Sequence, residues 1–172
     1  KTMVIRKSII ERPEAVLQQL NDHPMIELAE PNYIYHASKV PNDNRFSDLW
    51  GLVNKNKSSG GVDIEAQAAW DITTGDKKIV VAVIDTGVNY NLGDLKNNMW
   101  INQAEVNGRP GFDDDANGFI DDVHGYDFAN NDGDPMDDNN HGSHCAGTID
   151  AEGDNGIGVV GVNWNVSIMA LK

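Results

Sequence analysis

The sequence predicts an α/β fold on a parallel sheet, with a smaller strand–helix–strand piece in front of it. Three observations predict it. "KKIVVAVIDTG" (77–87) and "VSIMALK" (166–172) are continuous apolar runs, as expected of strands buried on both faces. "HGSHCAGTIDAE" (141–152) lies between them and reads as a helix. Strand, loop, helix, strand is the order that implies parallel pairing.

The leading piece follows the same logic on a smaller scale. "TMVIRKSI" (2–9) alternates loosely enough for a strand. "RPEAVLQQLNDHP" (12–24) has Pro13 suited to a first helical turn and Val16, Leu17 and Leu20 at helical spacing. "MIELAEPNYIYHA" (25–37) reads as a second strand interrupted by Pro31. So small a unit is expected to be half of a domain or to rest on a neighbour. Residues 38–61 are polar, Gly- and Ser-rich and aperiodic, so they read as a linker. "DIEAQAAWDITTG" (63–75) then suits a helix stopped by Gly75, opening a larger unit over 62–172.

Composition narrows the partners. At 172 residues and 40% hydrophobic, the chain has material for a core. A formal net charge of −14 argues against nucleic-acid backbones and anionic membranes. No apolar run approaches the roughly 18 residues of a membrane span. No charged-then-apolar leader follows Lys1, so any secretion signal is expected outside these residues. One cysteine leaves no internal disulfide framework.

The charge is uneven. From Phe112 to Asn140 there are many Asp and no Lys or Arg, so the block repels itself unless solvated or neutralised by cations. In "DDDANGFIDD", Asp113, Asp115 and Asn117 alternate and precede Gly118, the front half of an EF-hand-type calcium loop with the Phe119 carbonyl next. His124 stands where the bidentate Glu belongs, so Asp121 or Asp122 must close the shell. Asp127, Asn130, Asp132 and Asp134 form a second cluster of hard oxygens, better suited to calcium than to magnesium. Plain Asp-rich turns remain the alternative.

Asp85 ends the first buried run, where α/β proteins gather their sites. It either caps a turn or pairs with an imidazole N–H. In "NNHGSHCAGT", His141 and His144 stand three apart, open to reading as a metal pair, a catalytic histidine with a packing neighbour, or a turn into a helix. Zinc lacks a third ligand, and the spacing is not that of a metalloprotease helix.

"VAVIDTGVN" and "HGSHCAGT", in this order, resemble the Asp and His motifs of the subtilisin-like serine proteases, the subtilases. With "VPNDNRF", "AWDITTG" and "GYDFANND", residues 40–172 are similar to the N-terminal part of a thermitase-like catalytic domain. The resemblance implies a partial three-layer subtilisin-like fold and hydrolysis of polypeptides through a triad. Asp85 would orient His141, the general base and later acid. It makes His144 a structural neighbour and Cys145 a buried free thiol. It implies a calcium site from Asp43, Asp94 and Asn155 with carbonyls of Glu152, Ile157 and Val159. A second site would use Asp127, Asn130 and Asp132. A third, present in some relatives only, would use Asp113, Asp115, Asn117, Phe119 and Asp122. Residues 1–37 resemble the second half of a ferredoxin-like α+β propeptide, an intramolecular inhibitor whose "AEPNYIYHA" leads into the cleft. The Gly-Thr-Ser-Met-Ala nucleophile motif is missing, so the serine and the C-terminal part of the domain are expected beyond residue 172. The reading that results is a secreted endopeptidase precursor. Its rival is a non-catalytic calcium-binding or inhibitory module.

Overall fold

The computed structural model describes residues 13–31, 39–55 and 61–172. The predicted strand at 2–9 lies outside them, as do residues 32–37 of the second. The chain divides into two compact units, Lys1–Ala37 and Ser38–Lys172.

In the first unit, α1 runs Pro13–Asn21. Val16, Leu17 and Leu20 form its half-buried stripe, as the helical spacing predicts. Residues 25–31 are not a strand. Asn21 folds this segment back by accepting from the Ala29 N–H (2.7 Å) and donating to its carbonyl (3.0 Å).

The second unit is built on three parallel strands, β1 (Val80–Ile84), β2 (Gly125–Tyr126) and β3 (Ser167–Leu171), in the order β1-β3-β2. Val80 pairs with Ser167 and Ile84 with Leu171, so the two apolar runs match end to end. Residues 98–100 extend the β2 edge through bonds to Ile168. The short helices α2 (Ala66–Trp70) and α3 (Gln103–Val106) stand before and after β1 in the chain, and α4 (His141–Asp150) packs on β1 and β3.

One face of the sheet carries the core. Gly142, Ala146 and Asp150 recur at four-residue spacing and are the buried stripe of α4. Their small size brings the helix axis close to Val83, Ile168 and Ala170. The opposite face differs from expectation. Val80 is 44% and Ile84 81% exposed, so among the described residues β1 is buried on one face only.

Residues 39–55 are not a linker either. Phe46, Leu49 and Leu52 pack against Trp70, which is 1% exposed and donates from Nε1 to the Val162 carbonyl at 2.8 Å. Arg45 N–H bonds the Gly158 carbonyl at 2.9 Å, tying the segment to the far loop. Among the described residues no helix is long and apolar enough to cross a membrane.

Asp150 ends α4 fully buried, with both carboxylate oxygens accepting from the Val166 N–H at 3.0 Å. Burial pushes its carboxyl up to about 6, against a partial offset from that N–H and the Lys77 charge. Between the ordinary 3.8 and about 6, the folded state therefore binds the extra proton. Stability is expected to fall as pH rises through that interval. Asp150→Asn removes the fall, as chemical denaturation at about pH 4.5 and 7.5 can show. An equal slope in both proteins would refute it.

Candidate active site

Asp85 follows β1 and stays in the sheet ladder, its N–H donating to the Leu171 carbonyl at 2.9 Å. His141 opens α4. The two meet across the strand end, with His141 Nδ1 at 2.7 Å from Asp85 Oδ1 and 2.9 Å from Oδ2. A carboxylate can only accept, so Nδ1 carries the proton and Nε2 is left with its lone pair. Nε2 has no partner among the described residues, and the imidazole side chain is 66% exposed. The bond from His141, then the Thr86 N–H at 2.7 Å, hold the Asp85 carboxyl below its ordinary value. The same bond and charge raise the imidazole above its ordinary 6.5. Asp85 was expected on a strand buried on both faces. Its side chain is 19% exposed: it points to the α4 side of the sheet, at the strand end beside the exposed His141 imidazole.

Two glycines let the strand end and the helix start touch. Gly87 has φ +99°, a left-handed value that a side chain would strain. A Cβ on Gly142 would run into the Gly87 carbonyl oxygen and lie 3.2 Å from Asp85 Cβ. Both obstacles are backbone or rigidly held. Gly142→Ala is therefore expected to destabilise by about 1–3 kcal/mol and to part the pair. An unchanged thermal melt would count against this packing.

Neighbouring groups sort themselves out. His144 is exposed, and no metal-ligating cluster among the described residues includes it. Cys145, one helical turn after His141, holds its Sγ 3.8 Å from His141 Nδ1.

Three carboxylate clusters surround this pair in sequence. In the first, Asn155 Nδ2 donates to Asp94 Oδ1 at 3.1 Å, the Val159 N–H to Asp94 Oδ2 at 2.9 Å and the Ile157 N–H to Asn155 Oδ1 at 2.9 Å. The Glu152 N–H donates to the Asp94 carbonyl. Asp43 is buried, with Oδ2 accepting from the Asp154 N–H at 2.7 Å and Oδ1 without any partner. Burial, and then the charge of Asp94, raise its carboxyl. A buried orphan oxygen beside a second carboxylate fits a cation.

In the second cluster, one oxygen each of Glu105, Asp115 and Asp122 converge within 4.8 Å. Asn102 Nδ2 bridges Asp115 (3.0 Å) and Asp122 (2.7 Å), and Asn117 Nδ2 reaches Asp122 at 3.1 Å. Asp113 lies outside that convergence and accepts from the N–H groups of Asn117 and Gly118. The Phe119 N–H donates to Asn117 Oδ1. In the third, Asp127 is already satisfied by the N–H groups of Ala129 and Asn130, by Asn130 Nδ2 (2.9 Å) and by Lys172 Nζ (3.4 Å). Asp132 pairs with Asp127 through the backbone.

Comparison with known proteins places this geometry. The model of the subtilase family matches residues 76–172, the stretch that carries β1, α4 and β3. The chain belongs to the subtilase family. Subtilisin-like protease 1 of Plasmodium vivax is 53% identical to this subtilase chain over 92 residues, 54% of the chain and 15% of that protein. The thermophilic serine proteinase of Bacillus sp. (strain AK1) is 36% identical over 159 residues, 92% of the chain and 32% of the relative. Among solved structures, a protease from Pseudoalteromonas arctica PAMC 21717 superposes with TM-score 0.55 at 27% identity, covering 78% of the chain and 39% of that structure. The chain thus spans a third or less of these two curated relatives.

For this subtilase chain, the sequence singled out Asp85 and His141, which the fold brings together, but passed over two groups that hold the acidic loop. Glu105, 6% exposed on α3, holds the loop by accepting from the N–H groups of Asp114 (2.8 Å) and Asp121 (3.0 Å). Asn102 accepts from the Ala104 N–H as it bridges the carboxylates. The only available signal was "NQAE" just before the loop, with Asn in an N-cap position. Of the two closing candidates, Asp122 turns into the cluster, and Asp121 turns away to the Gly111 N–H.

Proposed function

We propose that this subtilase chain supplies the Asp and His of a triad in a secreted, calcium-stabilised serine endopeptidase precursor. The nucleophilic serine would come from sequence beyond residue 172. The observation that carries the reading is the 2.7 Å bond from His141 Nδ1 to Asp85, with Nε2 left open. That arrangement fixes the tautomer whose free nitrogen can take a proton from a serine hydroxyl. His141 then returns it to the leaving amine, and Asp85 steadies the imidazolium between the two steps. Residues 1–37 are read as half of a propeptide that acts as intramolecular inhibitor, residues 38–61 as the start of the mature enzyme, and 62–172 as the first part of the catalytic domain. Polypeptides are the substrates.

Calcium is assigned first to Asp43, Asp94 and Asn155 with the carbonyls of Glu152, Ile157 and Val159, on the strength of the orphan Asp43 oxygen. Asp113, Asp115, Asn117, Phe119 and Asp122, now with Glu105, are the next assignment. Asp127, Asn130 and Asp132 come last, because Lys172 already supplies Asp127 with a positive charge. Calcium here would brace loops and take no part in the proton transfers.

The test extends the chain with the sequence that follows Lys172 and measures hydrolysis of a fluorogenic peptide, with serine labelling by a fluorophosphonate. Hydrolysis together with labelling supports the reading. Neither signal, with inhibition of an active subtilase by residues 1–37, would establish the inhibitory module instead.

A further inference from the structure

We propose that Asp137 is a positioning residue for the Asp85–His141 pair, clamping the turn after β1 to the first turn of α4 through Thr86 and Ser143. The proposal rests on the reading of His141 as general base.

Asp137 stands four residues before His141, and no motif singled it out. Its carboxylate gathers five donors. Oδ1 accepts from Thr86 Oγ1 and from the N–H groups of Asn139 and Asn140, all at 2.9 Å. Oδ2 accepts from the Ser143 N–H at 2.9 Å and from Ser143 Oγ at 2.5 Å. These bonds divide between two elements. Thr86 belongs to the strand end, Ser143 to the helix.

Thr86 links the clamp to Asp85. Its N–H donates to Asp85 Oδ1 at 2.7 Å, its hydroxyl donates to Asp137, and the hydroxyl oxygen accepts the Gly142 N–H at 3.0 Å. Ser143 makes the return link, its Oγ accepting from the Asn89 N–H at 2.9 Å. Asn140, the N-cap of α4, makes no side-chain cap. The first N–H groups of the helix, which have no partner within it, are bonded instead by Thr86 and Asp137. One carboxylate therefore fixes both members of the pair, Asp85 through the Thr86 backbone and His141 through the helix start.

The charge suits the place. A carboxylate at a helix N-terminus is favoured by the helix dipole, and bonds to an ionised acceptor are stronger than neutral ones. Burial works against the anion, but the bonds from Ser143, Asn139 and Thr86 outweigh it and hold the Asp137 carboxyl far below the carboxylate range. Asp137 also adds to the field that raises His141, after Asp85. The Thr86 and Ser143 hydroxyls and three backbone amides would each lose a charged acceptor if it were removed.

The test reads the imidazole itself, so it does not depend on hydrolysis. His141 is followed by heteronuclear NMR titration in the chain as it stands, for wild type, Asp137→Ala, Asp137→Asn, Thr86→Val and the control Asp138→Asn. Asp138 is a neighbouring carboxylate whose loss alters charge but leaves the clamp. In Asp137→Ala the downfield Nδ1–H signal of the bond to Asp85 is expected to vanish, and the titration midpoint to move down toward 6.5. Thr86→Val should produce part of the same change with every carboxylate intact, and Asp138→Asn should not. If Asp137→Ala does not fold, Asp137→Asn and Thr86→Val carry the comparison. A lower melting temperature with an unchanged Nδ1–H signal and midpoint in the folded variants would make Asp137 structural only and overturn the proposal. So would an equal shift in Asp138→Asn. In the extended, active protein, kcat is expected to fall at least roughly tenfold with KM held, the mark of misplaced reacting groups. If the extended protein hydrolyses nothing, the general-base reading fails while the NMR result still decides the clamp.

Discussion

Replacing His141 by Ala in the extended protein is expected to lower kcat by about 10⁶, and Asp85→Asn by about 10⁴, with KM little changed in either. These magnitudes are carried over from subtilisin, a member of the same family, and from the same triad in other serine proteases. The difference between the two has a geometric cause. In the proposed mechanism His141 would carry the proton and Asp85 would set which nitrogen carries it, so loss of Asp85 would leave a base of the wrong tautomer. The pH profile tests the same bond independently. General-base catalysis needs neutral His141, whose titration is raised above 6.5 by Asp85. The acid limb of kcat/KM should therefore lie above pH 6.5 and move down in Asp85→Asn. Stability carries the opposite sign. Raised His141 stabilises fully below 6.5 and loses that contribution as pH rises through its folded value. Depressed Asp85 stabilises fully above 3.8 and loses it as pH falls through its folded value. The pair thus contributes most between those limits. A limb that does not move in Asp85→Asn would mean the bond is not maintained in solution.

How much of this was legible in the sequence follows from how local each cause is. β1 and β3 are runs of apolar residues long enough to specify themselves, and α4 follows from small residues spaced to pack. β2 could not be read, since Gly125 and Tyr126 are two residues made strand by their register against Ala170 and Leu171. Residues 39–55 looked like a linker because Phe46, Leu49 and Leu52 are thinly spread among polar residues. What fixes them is Trp70, distant in the chain. "MIELAEP" looked like a strand, but its fate was decided by Asn21, whose side chain takes both backbone groups of Ala29. At the site, Asp85 and His141 announced themselves by motif. Their separation of 56 residues hid the rest. Glu105 and Asp137 belong to no pattern, because each acts through donors that only the fold brings near, Glu105 through the N–H groups of Asp114 and Asp121 and Asp137 through the Thr86 hydroxyl.

Chelation of the protein should lower its stability by about 4 kcal/mol when calcium is present at about a thousandfold over its dissociation constant, a melting shift of roughly 10 °C. The informative variant is Asp43→Asn, because its effect changes sign with calcium. With the ion, it removes a charged ligand and most of the response to EDTA. Without the ion, the wild type buries a carboxylate oxygen that has no partner, beside the charge of Asp94. An amide there can still accept the Asp154 N–H and can donate toward Asp94, so the strain is relieved. Asp43→Asn is therefore expected to melt below wild type in calcium and at or above it in EDTA. Acid should have a related effect. Burial and Asp94 raise the Asp43 carboxyl, so protons displace calcium there at a higher pH than from an ordinary carboxylate. Asp127→Asn should show no such inversion, since Asp127 loses a salt bridge to Lys172 with or without calcium. A wild-type melt indifferent to EDTA would refute calcium at Asp43. A variant less stable than wild type under both conditions would show instead that Asp43 serves only the Asp154 N–H.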